Sequence, residues 1–421
     1  MSKRILSLVL VAVLLVGAVF AFSACNNDNN EQKSIKAALI CLHGDSSTYD
    51  KNFIDAFKQA CANKGLTEAD YTIITDIPEG TECYEKAADF ADNGYNVIFA
   101  DSFGHESYMI QAAKEFSNVQ FCHATGTKAH TENVANFQNA FASIYQGRYL
   151  AGVAAGLKLV ELYGDAEGKV SDENAKIGYV GAWPYAEVIS GYTSFYLGVK
   201  SVVANVTMEV RYTNSWYDET AEKTTALALI DAGCNLISQH ADSMGAPTAC
   251  EEKGVPNVAY NGTTGKNTFV IASKINWVPY FEYMIDCVKE GKDIDTDWTG
   301  TLANGAVEIT ALGAAAAEGT QAKLDEVAAK LKDGTLKVFD CSTFTVKNAK
   351  ADTSEFSNAG SITMDADGHL TAYIADVDDA GDYVPETNVV KTENGVTFFD
   401  ESANRSAPYF NVIIDGITVV Q

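Results

Sequence analysis

From Ala37 onward, short apolar runs alternate with stretches of helical periodicity. Ala37–Leu42, Tyr71–Thr75, Val97–Ala100 and Val119–His123 read as buried parallel strands, apolar on both faces and bounded by turn residues. Between them, Tyr49–Lys64, Glu82–Asn93 and Tyr108–Phe116 carry a helical stripe, and the first two stop at Gly65 and Gly94. Ala140–Lys158 is a longer helical stretch, with Gly147, Gly152 and Gly156 for close packing, and it carries the chain into a second set of elements. Strand Lys176–Gly181, helix Tyr185–Val203, strand Val206–Thr213, helix Glu219–Ala232 and strand Asn235–Ser238 follow. Strands Val255–Tyr260 and Phe269–Ser273 and helix Trp277–Glu290 close that set. Unbroken alternation predicts an α/β fold of parallel sheets covered by helices. Two such sets joined by crossovers predict two lobes with a hinged cleft.

The character changes near Gly300. Segments such as Leu336–Phe339, Phe344–Val346, Leu370–Ala375, Val396–Phe399 and Val412–Ile414 replace the apolar runs. Asn304-Gly305, Asp333-Gly334, Asp367-Gly368, Asn394-Gly395 and Asp415-Gly416 punctuate them, which predicts hairpins. The expected organisation is residues 36–141 plus about 270–297 for lobe 1, and 142–269 plus about 298–348 for lobe 2. Residues 349–421 form a β-rich C-terminal elaboration packed on the lobes.

Ahead of this lies a different pattern. Lys3 and Arg4 precede an apolar run from Ile5 to Phe22, a charged and then hydrophobic leader rather than part of the fold. Phe22-Ser23-Ala24-Cys25 resembles a bacterial lipobox, so residues 1–24 read as a lipoprotein signal peptide and Cys25 as the lipidated residue. The rest of 25–35 is polar and aperiodic, as a tether is. Removing Lys3 and Arg4 takes the formal charge from −26 to −28. Such a surface repels phosphate backbones, which argues against nucleic acid and favours a neutral or cationic small molecule.

Candidate chemistry narrows the picture further. The nine cysteines form no CxxC pair and no zinc-ligand spacing, and Cys41, Cys122 and Cys234 sit in or beside apolar strands as small core residues. GxSxG, GxGxxG, Walker A and HExxH are absent, so the common sequence warrants for an enzyme are missing. His43, His105, His123 and His240 fall near strand ends without ligand spacing and read as polar loop residues. Asp365-Ala-Asp367-Gly368 and Asp376–Asp382 resemble calcium loops only faintly; the first lacks the closing glutamate and reads as a hairpin turn. No metal and no cofactor is expected.

In open α/β sheets, ligands collect beyond the carboxyl ends of the strands. Trp216 and Asp242 stand at two such ends, one helix apart, so a flat aromatic and a carboxylate face one crevice. Phe53, Phe103, Trp183 and Tyr260 lie at further exits or the helix starts beyond them, and Asp45, Asp50, Asp101 and Asn261 supply donors and acceptors there. A planar heterocycle between two rings gains about 0.5–1.5 kcal/mol per stacked pair beyond area burial. Carboxylates accept from paired hydroxyls. Rings with carboxylates suggest a base attached to a sugar.

These residues carry a family resemblance. Ser47–Phe53 (STYDKNF), Gly178–Pro184, Glu187–Gly191, Asn214-Ser-Trp-Tyr-Asp218, Gln239-His-Ala-Asp242, Arg405–Phe410 and Ile414–Ile417 resemble the basic-membrane-protein family of ABC-transporter solute-binding lipoproteins, which includes purine-nucleoside receptors. The resemblance implies a two-lobed periplasmic-binding-protein-like (type I) fold, a lipid anchor on the extracytoplasmic face of the cell membrane, permease and ATPase partners, and no catalysis. It implies Phe53 and Trp216 as opposing stacking rings. Ile54 replaces the base-reading asparagine, Asn261 replaces an aspartate, and Lys274 is displaced from the ribose-binding lysine. The expectation is a monomer binding a purine nucleoside or nucleobase. A sugar or flavin-like solute, a sensor role, and a secreted nucleoside-acting enzyme stand as alternatives.

Overall fold

A computed structural model describes residues 35–348, 361–375, 387–403 and 405–420. The leader, Cys25 and the tether lie outside the described residues, as does Asp376–Asp382. Among the described residues, no helix is long and apolar enough to cross a membrane.

The first sheet is built from β1 (Ala37–Ile40), β2 (Tyr71–Ile74), β3 (Val97–Ala100), β4 (Gln120–Ala124) and β5 (Phe137–Ala142). All pair in parallel, in the spatial order β5-β4-β3-β1-β2. Helices α1 (Thr48–Asn63), α2 (Thr81–Asp92) and α3 (Glu106–Glu115) connect them. The chain then enters α4 (Tyr145–Tyr163) and repeats the scheme with β6 (Lys176–Gly181), α5 (Ala186–Lys200), β7 (Thr207–Tyr212), α6 (Glu219–Asp231), β8 (Ile237–His240), α7 (Gly245–Lys253), β9 (Asn257–Tyr260) and β10 (Phe269–Ile275). Their order, β10-β9-β8-β6-β7, is that of the first sheet. Each lobe therefore has a switch point, between β1 and β3 and between β6 and β8, where connections leave in opposite directions and open a crevice.

After β10 the chain returns to the first lobe through α8 (Val278–Glu290), which packs on α1, and adds β11 (Asp297–Gly300) beside β5. It crosses again to β12 (Val307–Ile309), antiparallel to β10. The boundary near residue 270 is thus corrected: Phe269–Ile275 pairs with β9 in the second sheet, and the crossover follows Ile275. A second correction concerns Ala140–Ala142, expected as helix but paired in β5 between β4 and β11. Small apolar residues carry no distinguishing period, and two flanking strand edges decide the matter.

Close packing of α4 does follow its glycines. A Cβ on Gly152 would lie 2.1 Å from the Phe195 carbonyl of α5, and one on Gly198 2.2 Å from that of Tyr149. The helices meet backbone to backbone, which joins β5 tightly to the second lobe.

Beyond β12 the chain is less purely β than its turns suggest. α9 (Thr320–Lys332) buries Leu324, Val327 and Leu331, a one-sided stripe beyond Gly300, within the part assigned to lobe 2, where the turn dipeptides pointed to hairpins. β13 (Val346–Asn348) pairs with β19 (Ile413–Ile414), and β14 (Ser361–Met364) with β15 (Leu370–Ala375), which also meets β16 (Thr387–Asn388). β17 (Val390–Glu393) and β18 (Val396–Phe399) form a hairpin around Asn394-Gly395. Asp365 accepts from the amides of Asp367 and His369 at 3.0 and 2.9 Å, so the faint calcium loop is the turn of the β14–β15 hairpin. Asp415-Gly416 turns no hairpin: β20 (Ile417–Val420) runs parallel to β7 and becomes an edge of the second sheet.

Candidate functional site

A chamber lies where the carboxyl ends of both sheets face each other. Leu42, Tyr49, Asp50, Ser102, Phe103 and Thr125 wall it from the first lobe; Glu187, Trp216, His240, Asp242 and Tyr260 wall it from the second. Leu42 and Ser102 follow the two strands of one switch point, and Glu187 and His240 mark the other. The lobes touch across it: the Thr48 amide and hydroxyl donate to the Asp242 carbonyl at 3.0 and 3.3 Å.

The first-lobe wall is set by how α1 begins. Ser47 caps the helix by accepting from the Asp50 amide at 3.1 Å, and its hydroxyl donates back to the Asp50 carboxylate at 2.6 Å. The His43 amide donates to the other carboxylate oxygen at 2.7 Å. Asp50 lines the chamber, but both its oxygens hold the loop that carries Tyr49. The Tyr49 hydroxyl donates to the Asp101 carbonyl at 2.8 Å, which fixes the ring. Asp101 is fully buried behind this wall; one carboxyl oxygen accepts from the Leu42 amide at 3.1 Å, and the Cys41 thiol and the Asp50 carboxyl lie close to the group. Burial and then the nearby Asp50 charge hold the Asp101 carboxyl well above the usual range.

On the other side, two strand-exit loops are knitted together. The Asp242 amide donates to the Trp216 carbonyl at 3.0 Å. Asp218 caps α6 by accepting from the Ala221 amide at 2.9 Å, and Glu222, one turn into the helix, accepts from the amides of Asp218 and Ser243 at 3.2 Å. Burial pushes the Glu222 carboxyl up to about 7. Glu187, at the start of α5, lies 3.3 Å from His240 Nε2. Burial, with help from the Arg148 charge, pushes His240 down to about 4, so the ring is neutral. Arg148 reaches from α4 to place its guanidinium 3.7 Å from the Tyr260 ring centre and donates to the Gln239 carbonyl at 2.8 Å. That cation stiffens the wall from behind.

Asp242 differs from these groups. Its hydrogen bonds among the described residues run through its backbone, which leaves the carboxyl of this lining residue without a hydrogen-bond partner there. Burial, followed by Asp50, Glu222 and Glu187, raises this carboxyl well above its ordinary value.

The chamber holds about 370 Å³ of empty space, part of it open to solvent. That is the size range of small-molecule pockets. Outside lies a wider vestibule lined by His43, Trp183, Tyr185 and Tyr217 as well as Phe103 and Trp216. Tyr185 is its hub, stacked on Trp183 at 5.8 Å and meeting Phe103 at 5.4 Å and Trp216 at 5.8 Å.

Trp216, Asp242, Phe103 and Asp50 thus come together, while Trp183 stands in the vestibule. Phe53 is corrected: it is fully buried one layer below, stacked on Trp277 at 4.4 Å, and Tyr49 takes the place at the wall. Asp101 is behind the wall rather than in it. Asp45 is solvent-exposed. Lys274 sits on β10 opposite Glu308, away from the chamber lining. Asn261 is buried beside the lining residue Tyr260, in a left-handed conformation (φ 58°), with its side-chain oxygen unpartnered. Tyr49, Tyr185 and Glu187 were not expected. Tyr49 stands four residues before Phe53 on the same helical face, and Tyr185 and Glu187 flank the start of a helix beyond a strand exit, which was the available signal.

Comparison with known proteins places this geometry. A family model described as "ABC transporter substrate-binding protein PnrA-like" matches residues 44–339. A purine-binding protein of Brucella abortus is 30% identical over 328 residues, covering 76% of this chain and 87% of that protein. A Haloferax volcanii protein, provisionally an ABC transporter glucose-binding protein, is 31% identical over 237 residues, 55% of this chain and 56% of its own length. Among solved structures, an ABC transporter solute-binding protein of Aeropyrum pernix superposes with a TM-score of 0.60 at 15% identity, over 72% of this chain and 93% of the other. That likeness shows the two-lobed type I fold.

Proposed function

This chain belongs to the PnrA-like family of ABC transporter substrate-binding proteins, and from that premise we propose that it captures a purine nucleoside or nucleobase between its lobes. Family membership makes it an extracytoplasmic receptor that works with a permease and an ATPase. The observation that carries the finer reading is the chamber lining, with the rings of Tyr49, Phe103, Trp216 and Tyr260 and an Asp242 carboxyl that has no hydrogen-bond partner among the described residues. A planar heterocycle among these rings gains stacking on its faces, while polar wall groups meet its edge.

In the proposed mechanism, the solute bridges both lobes and favours the closed state by its higher affinity for it. Tyr49 takes the part first assigned to Phe53, opposite Trp216 in lobe though not in a measured stack. The purine-binding name of the Brucella relative supports this reading. Anchoring through a lipidated Cys25 belongs to the same proposal and rests on the lipobox-like Phe22–Cys25.

One observation favours a second reading: the Haloferax relative's name specifies glucose, and aromatic faces with carboxylates also suit a sugar. A thermal-shift screen separates the two, because a solute that binds only the folded state raises the melting temperature by mass action. Shifts with purine nucleosides or bases and none with glucose or ribose are expected. Shifts with sugars alone would overturn the purine reading.

A further inference from the structure

Hydrogen-bonding groups on the chamber walls divide unevenly. Among the described residues no lysine or arginine lines it, whereas three carboxyls do. Asp50 is consumed by the His43 amide and the Ser47 hydroxyl. Glu187 has one oxygen 3.3 Å from His240 Nε2, and its other oxygen meets no protein donor among the described residues. Asp242, 5% exposed, offers both oxygens. The groups facing Asp242 are Asp50 from α1, Glu222 from α6, Glu187 from α5 and, more distantly, Arg148 from α4, with the Tyr49 and Tyr260 hydroxyls nearby. Most of its charged surroundings are acidic. The buried Thr125 and Tyr260 hydroxyls of the lining also lack partners among the described residues and can donate as well as accept, so it is the carboxyl side of the chamber, Asp242 with Glu187, that calls for donors from the solute.

We infer that the chamber selects its solute by hydrogen-bond donors: Asp242 takes the adjacent N–H groups of an amino-substituted, guanine-type purine edge, Glu187 takes a further donor, and anionic purines and nucleotides are refused. This rests on the purine reading above and names its subclass. The ring N–H and exocyclic amine of guanine point the same way and match the two oxygens of one carboxylate, as a guanidinium does. On the corresponding edge hypoxanthine keeps the ring N–H but has only a C–H in place of the amine, and adenine has an acceptor nitrogen and a C–H. Xanthine sets a carbonyl against the carboxylate where guanine has its amine. Inside the chamber a phosphate would meet acids and, among the described lining residues, no lysine or arginine; Lys128 stands outside, in the vestibule.

The pairing also draws Asp242 into its ionised form. Burial favours the proton on the empty carboxyl, and two N–H donors oppose it, so guanine-type binding releases a proton and strengthens as pH rises.

Titration calorimetry of the purified protein with guanosine, inosine, adenosine, xanthosine and the matching free bases tests this. The guanine compound is expected to bind tightest, by roughly tenfold or more over the hypoxanthine one, the worth of one charge-assisted hydrogen bond. Asp242→Asn converts an acceptor into a donor and should bring the guanosine-to-inosine ratio close to one. Equal or tighter binding of inosine or xanthosine by the natural protein overturns the inference without recourse to any variant, and leaves the purine reading intact. An unchanged ratio in Asp242→Asn overturns Asp242 as the reader. Binding of glucose with no purine binding at all removes both readings.

Discussion

Tyr49 and Phe53 sit one turn apart on the same face of α1, and their height along the helix separates their roles. The earlier residue reaches the chamber; the later one is fully buried against Trp277, Phe99 and Phe281. Phe53→Ala should therefore cost about 3–5 kcal/mol of folding stability, as large-to-small core changes do, read in a denaturant titration. Trp216→Ala, at a partly exposed wall position, should leave that titration nearly unchanged and weaken purine binding roughly tenfold. Unaltered affinity in Trp216→Ala would remove it from the site. Glu401 supplies a residue-scale prediction about pH. It is 1% exposed, and burial pushes it up to about 8 from 4.5 against the opposing pull of the nearby Ser190 hydroxyl, Phe410 amide and Arg405 charge. A raised acid keeps its proton when folded and loses it on unfolding. The penalty is absent below about pH 4.5, grows up to about pH 8 and is constant above, at roughly 1.4 kcal/mol per unit of separation. Glu106 and Glu222, both raised to about 7, act in the same direction. Stability should fall across that window, and Glu401→Gln should flatten the fall and raise the melting temperature at pH 8. A parallel curve for the variant would show that Glu401 titrates normally.

At the scale of elements, periodic stretches were legible and borderline ones were not. β3, β6, β15 and β18 coincide with their apolar runs, because each run is apolar or alternating and bounded by turn residues. β5 was hidden in Ala140–Ala142, and α9 was hidden in a region rich in Asp-Gly and Asn-Gly turns. Turn dipeptides specify where the chain reverses, not what pairs with what. Asn394-Gly395 closes a hairpin, whereas Asp415-Gly416 releases β20 to pair with β7. At Gly416 φ is 91° and an added Cβ would fall 1.9 Å from the Tyr196 hydroxyl, so no other residue suits that turn. A chain ending at Asn411 loses β19 and β20 and the burial of Ile413, Ile414 and Ile417. At about 1.5–3 kcal/mol for each side chain, the expected loss is of order 5 kcal/mol, together with self-association through the bared edge of β7. A truncated chain that melts like the full one and stays monodisperse would show that β20 contributes little.

For the molecule as a whole, two copies of one strand order turn their switch points toward each other, and the chain passes between them after β5, β10 and β11. The C-terminal segment adds a tie: the Ser406 amide donates to Asp297 at 2.8 Å, and Asn139 donates to the Ser406 hydroxyl at 3.0 Å, while β20 sits in the other sheet. These connections leave a hinge, with the Thr48–Asp242 hydrogen bonds on the closing side. Small-angle scattering should show contraction when the solute is added to the solute-free protein. An unchanged radius of gyration at saturating solute would refute closure as the response to binding.

Sequence alone determined the fold class, the two-lobed rhythm, the exits where Trp216 and Asp242 stand, and the family. Those rest on local periodicity, turn chemistry and motifs, all carried by neighbouring residues. Tertiary structure decided which exit residues share a chamber, that Tyr49 rather than Phe53 meets it, that Asp50 is spent on its own loop while Asp242 stays free, and that the last strand completes the second sheet. Each of these depends on contacts between residues far apart in the chain, for which local pattern holds no information.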